Sequence, residues 1–195
     1  GGVGVSGSAT ANLTLTTPAA NAKTISATTE SDTAGANVAI GEVVTYRVTF
    51  TLPEGVTQNV RIVDEMQGEL ANFGFVPGSV RLARSSTALS AANDPGGINS
   101  APVGTYVAVS EQCAGTAPCA ANEVRVDLGN VTNAPDATVS DSYTLEIQFR
   151  ALNVAATPGG SPRANRGRLL YRTPGPGAAQ THDGGGGGTT TGGPT

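Results

Sequence analysis

Strict two-residue alternation is the feature that most constrains this chain. From Val44 to Leu52 the even positions are Val44, Tyr46, Val48, Phe50 and Leu52, and the odd positions between them are Thr45, Arg47, Thr49 and Thr51. The pattern recurs further on, with Tyr143, Leu145, Ile147 and Phe149 alternating with Thr144, Glu146, Gln148 and Arg150. Successive side chains of a strand point to opposite faces, so each segment predicts a strand with one buried and one wet face. Further strands are expected at Val60–Asp64, Ser79–Leu82, Thr105–Ser110, Val124–Leu128 and Arg166–Arg172, and near Leu13 and Ile25. That makes about nine strands, with a turn at Pro53-Glu54-Gly55. No long stretch repeats apolar residues at helical spacing without Gly or Pro interrupting it. One-sided alternation is typical of antiparallel sheets packed face to face, so an all-β sandwich is expected rather than a parallel α/β fold.

Composition narrows the function classes. The net charge is −4 and 13% of the 195 residues are charged, a balance without the basic stripe that nucleic acid calls for. Nor is there a polybasic patch for an anionic membrane surface, and no apolar run approaches the roughly 20 residues of a spanning helix. The chain begins at Gly1 without a signal peptide and is read as a processed product or an excised piece of a longer protein. Residues 1–10 read as an N-terminal extension or donor strand, residues 11–172 as the sandwich domain, and residues 173–195 as a Gly/Pro/Thr-rich linker or tail. Two long connections, 84–102 and 111–122, are the loops where ligand binding would reside.

Cys113 and Cys119 are the only cysteines, and His182, in the Gly-rich tail, is the only histidine. A zinc site would need two further ligands, and a redox pair would normally read Cys-x-x-Cys. A small disulfide pinning a loop is the expectation, with free thiols as the alternative, and it implies an oxidising, extracellular compartment. Catalytic constellations are weak. The glycine run Gly184–Gly188 carries no Gly-Lys-Ser/Thr for phosphate, and a Ser-His-Asp site would have to use the tail histidine. Asp64, Glu65 and Glu69 could imitate a glycosidase pair, but the chain has no Trp to build a sugar platform. No enzyme acting on an external substrate is expected. Asn93, Asp94, Asn99, Asp136 and Asp141 are oxygen donors of the type calcium takes, yet none follows a loop pattern with the required ligand count. They are read as turn residues, with a calcium site as the alternative, and no other cofactor or metal is expected.

Three segments in order, Ala39-Ile40-Gly41-Glu42-Val43-Val44-Thr45-Tyr46, Val60-Arg61-Ile62-Val63-Asp64 and Phe75-Val76-Pro77-Gly78-Ser79-Val80, resemble the bacterial conserved-repeat surface domain and the related isopeptide-forming domains of pilins and adhesins. Asn165-Arg166-Gly167-Arg168-Leu169-Leu170-Tyr171 resembles the closing strand of that family. The resemblance covers roughly Ala11 to Arg172 and implies an immunoglobulin-like sandwich, strung in tandem in extracellular proteins. It also implies an intramolecular amide bond between a Lys on the first strand and an Asn on the last, assisted by an acid on a middle strand. The matching residues are Lys23, Asn165 and Asp64, with Asn153 as a rival acceptor.

Two features of the sequence support that carry-over. Lys23 is the only lysine, and every other basic residue is arginine. Parity places Lys23 with Ile25, Asp64 with Ile62 and Val60, and Asn165 with Leu169 and Tyr171, so all three polar side chains should face the core. An unpartnered polar group there costs on the order of 2–7 kcal/mol, so three need a joint explanation. The plainer alternative is a solvated Lys23 beside a turn and Asp64 closing a strand end. The expected function is a non-enzymatic structural module of a bacterial surface stalk, adhesin or fibre. A filament subunit polymerised by strand donation, using apolar Val3, Val5, Leu13 and Leu15, is one alternative. A ligand-binding adhesin using loops 84–102 and 111–122 is another. Partners would be neighbouring domains, copies of the same protein, or a surface ligand.

Overall fold

Alternation on two segments that become neighbours explains the centre of the molecule. The computed structural model describes residues 17–20, 23–30, 38–66, 73–138, 140–152, 163–172 and 181–191. Its strands, in chain order, are β1 (Ala19–Ala20), β2 (Thr24–Thr28), β3 (Val43–Pro53), β4 (Gly55–Met66), β5 (Phe73–Phe75), β6 (Arg81–Arg84) and β7 (Leu89–Ala91). They continue with β8 (Val107–Ala108), β9 (Cys113–Ala114), β10 (Glu123–Asn133), β11 (Ser140–Ala151), β12 (Arg163–Arg172) and β13 (Thr181–Thr191). A single 3-10 turn at Pro95–Gly97 is the one helical element among the described residues.

β3 and β11 pair antiparallel with Val44 opposite Phe149, Tyr46 opposite Ile147, Val48 opposite Leu145 and Phe50 opposite Tyr143. The two apolar sets therefore fall on one face, and all eight side chains are buried to within 1% exposure. Around this pair forms a seven-stranded sheet ordered β1-β3-β11-β6-β8, with β2 also on β3 and β5 also on β11. A six-stranded sheet, ordered β13-β12-β4-β10-β7 with β9 also on β10, packs against it. Its inward residues include Val60, Ile62, Val126, Leu128 and Leu169. Each such side chain withdrawn from water contributes about 1.5–3 kcal/mol. The result is an all-β, immunoglobulin-like antiparallel sandwich, as the sequence predicts.

The count of strands exceeds the expectation because short strands carry too few residues to show a period. β5, β7 and β9 each hold three residues or fewer. The strand expected over 105–110 is reduced to β8, and the one expected from Ser79 begins at Arg81. Residues 84–102 are not a free excursion: Leu89, Ala91, Ile98 and Ala101 are all buried in the core. Buried Arg84 ties the segment down, donating to the carbonyls of Leu89 at 3.1 Å and Ala101 at 2.9 Å. Within the expected tail, Thr181–Thr191 pairs antiparallel with β12 from Arg163 to Arg172. Backbone ladders need no side chains, so a glycine run can occupy a sheet edge that composition alone reads as linker. The expected strand near Leu13, and Val3, Val5 and Leu15 with it, lie outside the described residues.

Candidate functional site

Lys23 immediately precedes β2, whose Ile25 pairs with Tyr46 of β3, so the lysine starts from the edge of the seven-stranded sheet. Asp64 and Asn165 belong to the other sheet. On β4, Asp64 continues the inward series Val60, Ile62, Asp64, Met66. On β12, Asn165 opens the inward series Asn165, Gly167, Leu169, Tyr171. The β12–β4 register sets Gly167 opposite Asp64 and Asn165 opposite Met66, making the acid and the carboxamide diagonal neighbours on one face. Diagonal pairs of this type lie within side-chain reach.

All three groups are withdrawn from solvent, at 3% exposure for Lys23, 1% for Asp64 and 0% for Asn165. Lys23 Nζ donates to Asp64 Oδ2 and, at 2.8 Å, to Asn165 Oδ1. The amine therefore crosses from one sheet to meet both partners on the other. The plainer reading, a solvated lysine and an acid at a strand end, is incompatible with this burial. Desolvation penalises the charged ammonium, and burial pushes the Lys23 amine well below the ordinary lysine range. Within the trio, Asp64 Oδ1 and Asn165 Nδ2 find no hydrogen-bond partner among the described residues. Buried polar atoms without partners are rare in folded proteins and call for a reason.

Two neighbours complete the setting. Tyr46, fully buried, presents its ring to the amine with Nζ 5.0 Å from the centroid. Gly167 supplies room: a Cβ at this position would come within 2.9 Å of both Val48 methyl groups on the opposite sheet. Only a residue without a side chain lets the sheets approach this closely between Asn165 and Leu169. The even parity of Tyr46 already marked it as inward; the significance of Gly167 depends on inter-sheet distance, which periodicity does not encode.

The other sequence candidates divide. Cys113 and Cys119 are joined in a disulfide with Cα atoms 5.9 Å apart, and Cys113 sits on β9 against Arg125 of β10. Asn153 lies outside the described residues. Asn93, Asp94 and Asn99 surround the 3-10 turn, and each bonds backbone. Asn99 Oδ1 accepts from Ala91 N at 2.9 Å, Asp94 Oδ1 accepts from Asn99 N at 2.8 Å, and Asn93 Nδ2 donates to the Asp127 carbonyl at 3.4 Å. Asp136 Oδ1 accepts from the backbone N–H and hydroxyl of Thr138, at 2.7 and 2.6 Å, and Asp141 Oδ1 accepts from Ser85 Oγ at 3.3 Å. These are turn and strand-end contacts.

No protein-family model matches the sequence, and no curated protein matches it. Solved structures do. The chain is similar to the full-length major pilin RrgB from Streptococcus pneumoniae, with 15% identity, a TM-score of 0.51, and 86% of this chain aligned to 26% of the pilin. It is likewise similar to another structure of the RrgB pilus backbone from that organism, with 15% identity, a TM-score of 0.50, and 84% of this chain aligned to 34% of the other. The chain thus spans about a quarter to a third of the length of the pilin structures it matches. At this identity the similarity is one of architecture: the sandwich has the fold of a domain of a pilus backbone protein.

Proposed function

We propose that this chain is a structural module of an extracellular bacterial surface fibre or stalk that locks itself with an amide bond between Lys23 and Asn165. The observation that carries the reading is the buried contact of the lone lysine with both an acid and a carboxamide. A neutral Lys23 amine attacks Asn165 Cγ, forming the Nζ–Cγ bond. The Cγ–Nδ2 bond breaks, and Nδ2 leaves as ammonia with protons relayed from the amine. Asp64, in its protonated form, donates a hydrogen bond to the carboxamide oxygen and passes protons between the attacking and departing nitrogens. Three properties support this chemistry. Burial favours the uncharged, nucleophilic amine, the amine already rests against the carboxamide, and the departing nitrogen is the atom that no described residue holds. The product carries no charge from the amine, so the cost of burying an ammonium disappears.

The pilin-like fold and the disulfide agree with a surface location and with a role that requires no external substrate. Intact-mass spectrometry under denaturing, reducing conditions tests the bond. The expected wild-type mass is lower than the sequence mass by one ammonia, while Lys23→Ala and Asn165→Ala show the full mass of their own sequences. A wild-type mass equal to the sequence mass would refute the Lys–Asn bond. Loss of ammonia that persists in Asn165→Ala would move the acceptor to another amide.

A further inference from the structure

Away from the buried trio, the six-stranded sheet carries an irregularity that both neighbours of β4 share. Between β4 and β10 the register slips after Gly129: Gly129 faces Val60 but Val131 faces Thr57, so that Gln58 and Asn59 stand opposite Asn130 alone. Between β4 and β12 it slips again, with Leu170 opposite Arg61 but Arg172 opposite Gln58. The extra length lies on β4 around Asn59, a non-glycine residue with φ 49°. Its N–H is held by Asn130 Oδ1 at 3.1 Å. A left-handed non-glycine residue costs stability, and bulges re-aim side chains; both concentrate where a surface has a task.

The bulge opens a cavity of ≈ 170 Å³ lined by Asn59, Arg61, Leu170, Tyr171 and Arg172. Two of the five are guanidinium groups on a chain of net charge −4. Arg61 forms a long ion pair with Asp127, Nε to Oδ2 at 3.9 Å, and its Nε has no hydrogen-bond acceptor among the described residues. No ion pair of Arg172 occurs among the described residues. Elsewhere on the same face the charges are matched, as where Arg168 meets Glu65 at 3.3 Å and Arg125 meets Glu123 at 3.1 Å. Two guanidinium groups thus line one cavity, with the long Arg61–Asp127 contact as the one ion pair between them and a described acid.

We propose that this cavity is an oxyanion site, taking a carboxylate or sulfate group between Arg61 and Arg172, with the Asn59 amide as a further donor. Guanidinium forks match the planar oxygens of such groups and bind them with charge-assisted bonds. The group can arrive as a free ion or on an acidic sugar, and two probes separate these sources. The full chain is titrated by NMR with sodium sulfate and with sodium glucuronate, and with sodium chloride at matched ionic strength. Saturable shifts at Asn59, Arg61 and Arg172 with sulfate or glucuronate, and not with chloride, are expected. Response to sulfate alone identifies a free-ion site; response to glucuronate places the group on a sugar. Arg61→Gln and Arg172→Gln should each weaken binding about tenfold or more, the loss of one charge-assisted contact. Shifts that do not saturate, that chloride reproduces, or that survive both substitutions would overturn the proposal. Ammonia loss in the same variants, read by mass, reports separately on the Lys23 chemistry.

Discussion

A lysine inside a sandwich has two ways to avoid the cost of a buried charge: surrender the proton, or hold an anion close. Lys23 has the means for both, since burial depresses its proton affinity and Asp64 accepts from its amine. Asp64→Asn removes the proton relay while keeping the shape, and the expected result is a protein whose mass stays at the sequence value over hours. Where no bond forms, breaking the buried pair should also cost about 3–5 kcal/mol in denaturant unfolding. Asn165→Ala gives a pH test, because its amine is never consumed. A lysine whose folded affinity falls below the ordinary 10.5 binds fewer protons in the folded than in the unfolded chain. Between that lowered value and 10.5, stability of Asn165→Ala should therefore rise with pH. In a wild type whose amine has become an amide, as proposed, this slope should be absent. Urea midpoints across the alkaline range would separate the two, and parallel profiles would argue that Lys23 stays unreacted.

At the scale of the strand, the site depends on β12 lying close to the opposite sheet, which the bare backbone at Gly167 permits. Gly167→Ala places a methyl group against both Val48 methyls, and such overpacking costs about 1–3 kcal/mol. The prediction is a lower denaturant midpoint and slower release of ammonia, because β12 carries Asn165 away from the amine as it shifts. Strands also show what a sequence encodes and what it leaves out. Tyr46, Asp64 and Asn165 could be assigned inward from parity alone, since each lies in a run long enough to show its period. Parity says nothing of which sheet a strand joins, and so does not reveal that Lys23 reaches across from one sheet to partners on the other. Leu89 and Ile98 are buried singly within a polar stretch, where no period exists to detect. β13 left no side-chain pattern because its ladder to β12 is made by backbone groups, five of its residues being consecutive glycines.

For the whole molecule, the proposed amide and the disulfide differ mainly in the length of chain they enclose. Lys23 and Asn165 are 142 positions apart, and the chain-entropy relation for cross-links gives about 5 kcal/mol for a loop of that size. The cysteines are 6 positions apart, and the same relation gives about 2 kcal/mol. Lys23→Ala should accordingly lower the thermal midpoint far more than Cys113→Ser with Cys119→Ser; differential scanning calorimetry on the three proteins checks the ranking. A disulfide variant that loses as much as Lys23→Ala would contradict it.

The placement of Lys23 before β2 and Asn165 near the start of β12 also fixes what happens when the backbone is cut. With the amide in place, residues 23–165 form a closed ring, and a protease that severs one peptide bond within it opens the ring without releasing a fragment. A nick in the segment between β6 and β7 would leave a single species on a reducing denaturing gel, whereas the same nick in Lys23→Ala would yield two. Wherever it meets a protease, a module closed in this way survives its first cut in one piece.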